Sequence, residues 1–286
     1  MMLSEWIRTQ MKHNEVVVDA SENYTTPCEL DTPPVVLVCH YKNALMTTMC
    51  ICTLLKTNPW VKKVLIIDTS EEQDAPAELD KRVQIISLKG GNHSQGVQKG
   101  LDWIKARIYA GHKRGHEKWT LLIDSDVLFD HDVSGIIHNA QEKNCILTGH
   151  EHSKRKNIYG MNVMPRIHPA FCLINVSFLN KFSIPFMNWS KIRPENMGPL
   201  SNKPGEWNVR DTSNKLSNLY DVGSTLYEEV EKNGGKIWNI GPIWEFNTDK
   251  EKAPKTVYHI GATSWAPNDE KFIWAKNKTA EICGVV

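Results

Sequence analysis

Asp124 and Asp126 stand one residue apart in the stretch WTLLIDSDVLFD, Trp119 to Asp130. Apolar residues run straight into the pair, and Val-Leu-Phe follows it. In an extended segment residues i and i+2 share a face. The two carboxylates would stand side by side at a strand end, disfavoured by like charge and lost hydration. A divalent cation is the simplest remedy, because hard ions such as Mg²⁺ or Mn²⁺ take oxygen ligands of this kind. Turn or capping aspartates would give the same spacing, since D-x-D alone is common.

The elements that must position this pair are readable around it. VVLVCH (Val35 to His40) is a continuous apolar run suited to a central parallel strand. Asn43 is placed to cap a helix from Ala44 to Lys56, which Asn58-Pro59 ends. VKKVLIID and RVQIISL read as the second and third strands. The turn GGNHSQG leads into a helix from about Val97 to Ala110, and WTLLID is the fourth strand. Further on come a helix at Val133 to Gln141 and a strand at Pro169 to Leu179. The segment 181–219 is loop-like, and a helix with a glycine stop follows in YDVGSTLYEEVEKNGGKIW. This alternation predicts an α/β fold with a mostly parallel sheet. Ligands of such sheets bind outside the carboxyl ends of the strands. His40 to Asn43, Asp68, Asp124 and Asp126 all fall there.

Composition narrows the class. The 286 residues suit one large α/β domain, with residues 1–33 as an N-terminal extension. A net charge of +1 gives no global electrostatic case for nucleic acid or an anionic membrane. The seven cysteines contain no CxxC pair, and five lie in apolar runs, which reads as buried reduced thiols. The N-terminus lacks an apolar signal core, and the longest apolar stretch, Ala44 to Leu55, is too short to span a bilayer. The expectation is a cytoplasmic protein without a transmembrane segment.

The D-x-D after an apolar fourth strand resembles that of the GT-A fold glycosyltransferases, closest to the family-2-like inverting enzymes. The resemblance spans roughly residues 34–262 in separated motifs. It implies a single GT-A domain over 34–286, with a nucleotide-sugar-binding half at about 34–130 and an acceptor-binding half at about 131–286. VVLVCHYKN resembles the first strand, whose end lines the nucleotide base, so His40, Tyr41, Lys42 and Asn43 would sit there. IIDTSEEQD resembles the segment whose acid contacts base or ribose, which points to Asp68, although the usual serine-rich pattern is missing. GGNHSQGVQKGLDW resembles the stretch that closes over the nucleotide. Asn92, Ser94 and Gly96 would be its contacts, with Gln98 or Lys99 facing the diphosphate. A plain helix N-terminus with a serine cap would look alike.

Two more residues follow from the resemblance. Asp221 aligns with the acid that serves inverting members as catalytic base, with Tyr220 in place of the preceding acid. Glu206 and Asp211 are fallback bases. His259, in VYHIGATSW, matches a late histidine that many metal-using members employ as a third protein ligand. Imidazole beside carboxylates suits Mn²⁺ better than Mg²⁺. The implied activity is metal-dependent transfer of a sugar from a nucleoside-diphosphate sugar, a UDP-sugar first, to an acceptor hydroxyl with inversion. Asp124 would ligate the metal or hold the ribose, and Asp126 would ligate the metal. Trp207, beside Glu206, is the first candidate for an acceptor sugar face. The rivals are a nucleotidyltransferase, which usually has a Gly-rich basic loop after the first strand, and a non-catalytic nucleotide-sugar-binding or scaffold protein. A nucleic-acid acceptor along Lys154, Arg155, Lys156 and Arg166, with Lys181, Lys191 and Arg193 nearby, is the less favoured alternative to a glycan.

Overall fold

A computed structural model describes residues 27–76, 79–109, 118–152, 155–156, 162–186, 218–219, 222–241, 243–245, 256–261 and 269–284. The first part of the chain is built from β1 (Val35–His40), α1 (Ala44–Thr57), β2 (Val64–Asp68), β3 (Val83–Ser87), α2 (His93–Tyr109) and β4 (Trp119–Asp124). Next come β5 (Val127–Phe129), α3 (Ser134–Glu142), β6 (Leu147–His152), β7 (Arg155–Lys156), β8 (Asn162–Val163), β9 (Arg166–Asn175) and α4 (Val176–Lys181). The last elements are β10 (Asn218–Leu219), α5 (Ser224–Lys232), β11 (Ile237–Asn239), β12 (Trp244–Glu245), β13 (Val257–His259) and α6 (Asp269–Cys283).

Seven strands form the main sheet in the order β11-β6-β9-β4-β1-β2-β3. The pairs β1–β2, β1–β4, β2–β3 and β6–β11 are parallel, whereas β9 runs antiparallel to β4 and β6. All six β1 residues are buried, as a strand covered on both faces requires. Its side chains alternate between two cores. Val36 and Val38 join Ile51 and Leu54 of α1 on one side. Val35, Leu37 and Cys39 join Val97, Leu101 and Ile104 of α2 on the other. The chain reverses direction across the sheet between β1 and β4, which opens a crevice at their carboxyl ends. Cys39 pairs in register with Asp124 at that point.

A smaller sheet, β12-β13-β5, crosses the end of β4. Met46 and Met49 of α1 pack with Leu128, Tyr258, Ile260 and Ala275 into a third cluster beneath it. Helix α6 closes this cluster. Lys271 Nζ donates to the Gly261 carbonyl at 2.7 Å, and Lys278 Nζ pairs with Asp130 at 2.9 Å. Strands β10, β8 and β7 make a third small sheet.

Several element boundaries differ from the sequence expectation, and side-chain caps explain two of them. Helix α2 begins at His93 because Asn92 and Gln95 cap each other. Asn92 Oδ1 accepts the Gln95 N–H and Gln95 Oε1 accepts the Asn92 N–H, both at 2.9 Å. The expected strand to Leu179 stops at Asn175, whose Oδ1 accepts the Phe178 N–H and starts α4. All seven cysteines are free thiols, with Cys39, Cys50, Cys52, Cys145 and Cys172 buried. Among the described residues no helix is long and apolar enough to cross a membrane.

The end of β2 is tied to its own loop. Asp68 is fully buried, and its oxygens accept the N–H groups of Ser70, Asp74 and Ala75 at 2.9–3.0 Å. Burial alone would raise its carboxyl, but these N–H groups and the Ser70 hydroxyl hold it below the ordinary 3.8. A depressed carboxyl stabilises the fold above 3.8, and the contribution is lost as pH falls through the folded value. Asp68→Asn leaves at least one loop N–H without its acceptor and is expected to cost about 1–3 kcal/mol at neutral pH. It should also flatten the acid limb of a urea-stability profile below pH 4 or so. A variant with native stability and a native acid limb would remove Asp68 as the loop anchor.

Candidate metal centre

Strand β4 delivers Asp124, and a tight two-residue turn to β5 delivers Asp126. The third member arrives from far along the chain. β13 pairs antiparallel with β5, so that His259 lies opposite Val127, the residue after Asp126. The Ile260 N–H donates to the Asp126 carbonyl at 3.0 Å and locks this register. His259 Nε2 then faces both carboxylates, 3.9 Å from Asp124 Oδ2 and 3.6 Å from Asp126 Oδ1. One ligand atom from each residue can be chosen so that all lie within 4.8 Å of one another. An octahedral ion with bonds of about 2.1 Å sets adjacent ligands about 3 Å and opposite ligands about 4.2 Å apart. The observed nitrogen–oxygen separations fall in that span. Two carboxylates and one imidazole, with Asp126 buried and Asp124 and His259 part-buried, fit a divalent ion of the Mn²⁺ type.

A second histidine supports the first carboxylate. His93 Nε2 lies 2.9 Å from Asp124 Oδ1, leaving Oδ2 toward His259. Burial would lower the His93 imidazole, but the hydrogen bond and charge of Asp124 outweigh it and raise it above 6.5. Burial likewise opposes ionisation of Asp124, yet His93, with His259 and His168 nearby, holds its carboxyl well below the usual range. Asp124 is therefore the anchored ligand, fixed by a partner that occupies its other oxygen. His168 lies behind His259, with ring centroids 4.9 Å apart. Burial, then the neighbouring His259, pushes His168 down to about 2. Neither His93 nor His168 stood out in the sequence. The available signals were a histidine inside the glycine turn GGNHSQG and a His-Pro inside a strand.

The other expected contacts are distributed differently. His40 is fully buried, with Nδ1 2.7 Å from the Thr47 hydroxyl and Nε2 3.7 Å from Asp74. Asn43 caps α1 by accepting the Met46 N–H. Tyr41 remains outward, 37% exposed, with Lys42 Nζ 5.1 Å from its ring centroid. Asp68 and Asn92 serve the loop and helix cap described above. Ser94 is buried in the first turn of α2. Gly96 lets that helix press on the strands, since a Cβ there would sit 2.5 Å from Cys39 Sγ. Gln98 donates to Asp102 and accepts the Phe186 N–H, and with Lys99 it lines a groove beside Lys89 and Gly90. Asp124, Asp126 and His259 are thus the expected residues that the fold brings into one cluster. Asp221, Tyr220, Glu206, Asp211 and Trp207 lie outside the described residues. Of the basic residues, Lys154, Lys191 and Arg193 and the side chains of Arg155 and Lys156 also lie outside. Arg166 donates to the Val222 carbonyl at 3.2 Å.

Removing the support should weaken the centre without destroying the fold. His93→Ala is expected to reduce Mn²⁺ affinity about 10–100-fold by calorimetry, as loss of a ligand's outer partner does. An affinity within twofold of native would show that Asp124 needs no such anchor.

No protein-family model matches the chain, and no curated protein matches it. Solved structures do. Galactosyltransferase LgtC, in complex with donor and acceptor sugar analogues, aligns over 87% of this chain and 95% of its own, at 11% identity and a TM-score of 0.50. Mannosyltransferase PcManGT from Pyrobaculum calidifontis, in complex with GDP-Man and Mn²⁺, aligns over 64% of this chain and 54% of its own, at 12% identity and a TM-score of 0.40. GalNAc-T7 with UDP, GalNAc and Mn²⁺ aligns over 52% of this chain and 36% of its own, at 9% identity and a TM-score of 0.37. The match to LgtC over nearly its full length agrees with the strand order of the main sheet. The chain has the GT-A fold.

Proposed function

We propose that this protein is a metal-dependent glycosyltransferase, moving a sugar from a nucleoside-diphosphate sugar to an acceptor hydroxyl. The observation that carries the reading is the Asp124–Asp126–His259 cluster at the carboxyl-end crevice between β1 and β4. A carboxylate–imidazole set favours Mn²⁺ as the ion. Asp124, Asp126 and His259 would hold a divalent ion, which would supply charge neutralisation for the leaving diphosphate. The fold likeness to a galactosyltransferase bound to donor and acceptor sugar analogues supports the same reading.

Each residue has a role in this reading. His93 Nε2–H holds Asp124, and Asp124, Asp126 and His259 converge where the diphosphate would lie. Tyr41, exposed beyond the end of β1, offers a ring on which the base can rest. Asp221 is the proposed base, taking the acceptor proton as the hydroxyl attacks and the anomeric C–O bond breaks. Support comes from the residues after it. The Val222 carbonyl is held by Arg166, and Ser224 Oγ donates to the Met164 carbonyl at 3.3 Å, which fixes the start of α5. A single displacement of this kind inverts the anomeric carbon. A UDP-sugar is the first donor to try, and a glycan the first acceptor.

Thermal unfolding with Mn²⁺ and UDP-, GDP-, CMP- or dTDP-sugars tests the donor site. A donor at about 100 times its Kd stabilises by about 2.7 kcal/mol, a rise of roughly 5–10 °C for a chain of this size. One nucleotide class should give that rise, and Asp126→Ala should abolish it. If no donor shifts the native protein, the transferase reading fails and a scaffold role replaces it. Asp221→Asn should retain donor binding and lose turnover by about 10²–10⁴-fold. Turnover at the native rate would exclude Asp221 as the base.

A further inference from the structure

Strand β9 carries an imidazole whose tautomer is fixed by its own backbone. The Ala170 N–H donates to His168 Nδ1 at 3.1 Å, a short link across Pro169. A ring nitrogen that accepts a hydrogen bond carries no proton, so the ring proton of the neutral imidazole is on Nε2. His168 is 91% buried, being 9% exposed, and is wedged between His152 and His259 at centroid distances of 4.8 and 4.9 Å. Among the described residues Nε2 makes no hydrogen bond, and it is not one of the side-chain atoms sealed from solvent without a partner. A donor of this kind is open to an acceptor that arrives with a bound molecule.

The ring's position says where that acceptor comes from. His259 is the metal-centre imidazole, and it touches His168 directly. With the two ring centroids 4.9 Å apart, a molecule bound at that centre and passing His259 meets the His168 ring next. Arg166, two residues earlier on β9, is close enough to act on both His93 and His168. Its positive field favours an anionic acceptor. His150 and His152 extend the row of rings on β6, but the row is not a second metal site. His168 could ligate through Nε2 only by moving its proton to Nδ1, which would break the bond from Ala170. We infer that His168 is a substrate-binding residue whose Nε2–H donates to a diphosphate oxygen of the donor. The inference rests on the donor-site reading above.

The test uses the 286-residue chain, Mn²⁺, and UDP as probe, replaced by GDP if the stability panel selects guanosine donors. His168→Phe keeps a ring against His259 but has no N–H, and His168→Gln restores an N–H at similar reach. Calorimetry should give native Mn²⁺ affinity in both variants. Diphosphate binding at saturating Mn²⁺ should fall at least tenfold in His168→Phe and recover at least partly in His168→Gln. In the native protein, nitrogen-15 histidine NMR should show the Nε2–H form, with its proton signal shifting when Mg²⁺ and the same diphosphate are added. This last readout does not depend on the variants folding. Diphosphate affinity within twofold of native in His168→Phe would overturn the inference. So would a weakening seen with the nucleotide-sugar but not with the diphosphate, a loss of Mn²⁺ affinity in that variant, or a native ring protonated on Nδ1. If the native protein binds no nucleotide, it is the donor-site reading that fails.

Discussion

Two carboxylates in a part-buried crevice repel each other, and the surrounding structure is arranged around that repulsion. Two unit charges about 4 Å apart repel by about 4 kcal/mol at an effective dielectric of about 20, before the cost of lost hydration. Asp124 and Asp126 are placed in this position by the fold itself, because a buried strand and a tight turn leave neither free to swing into solvent. Imidazoles face them on two sides. His93 takes one oxygen of Asp124, and His259 faces the other oxygen and Asp126. A divalent cation held by Asp124, Asp126 and His259 would complete the balance that these rings begin.

The arrangement depends on long-range packing. β4 sits beside β1 at the switch point of the sheet, so the acidic pair emerges where the crevice opens. His259 reaches the pair because β13 adds to β5, and β13 is held by the methionines of α1 and the lysines of α6. The C-terminal helix therefore serves the centre without contributing a ligand. On the other flank, β9 carries Arg166 to the carbonyl of Val222 and His168 to the ring of His259. One strand thus joins the segment after Asp221 to the metal ligand.

The main strands and the acidic pair were legible in the sequence, since continuous apolar runs in a repeating strand–helix order report buried parallel strands directly. The boundaries of α2 and β9 were not. Each is set by a single asparagine side chain, Asn92 or Asn175, whose choice between loop and cap is made by neighbouring N–H groups. Helix α6 lacks a clean apolar stripe and packs through isolated residues such as Ala275 and the stem of Lys271, so periodicity does not reveal it. At the site, Asp124, Asp126 and His259 matched a known pattern, and the fold gathers them. Asp68, Asn92 and His40 matched it too, but in this structure loop N–H groups, a cap and Thr47 engage them. Residue type showed that these side chains could bind a nucleotide, whereas their hydrogen-bond partners depend on loop geometry. His93 and His168 act through contacts between distant segments, which no local window of sequence contains.

The most direct measurement is anomalous diffraction at the manganese edge from crystals grown with Mn²⁺. The account predicts one strong peak enclosed by Asp124, Asp126 and His259, with His93 still bonded to Asp124. Crystals that diffract well but show no peak there, or a peak at some other cluster, would contradict it.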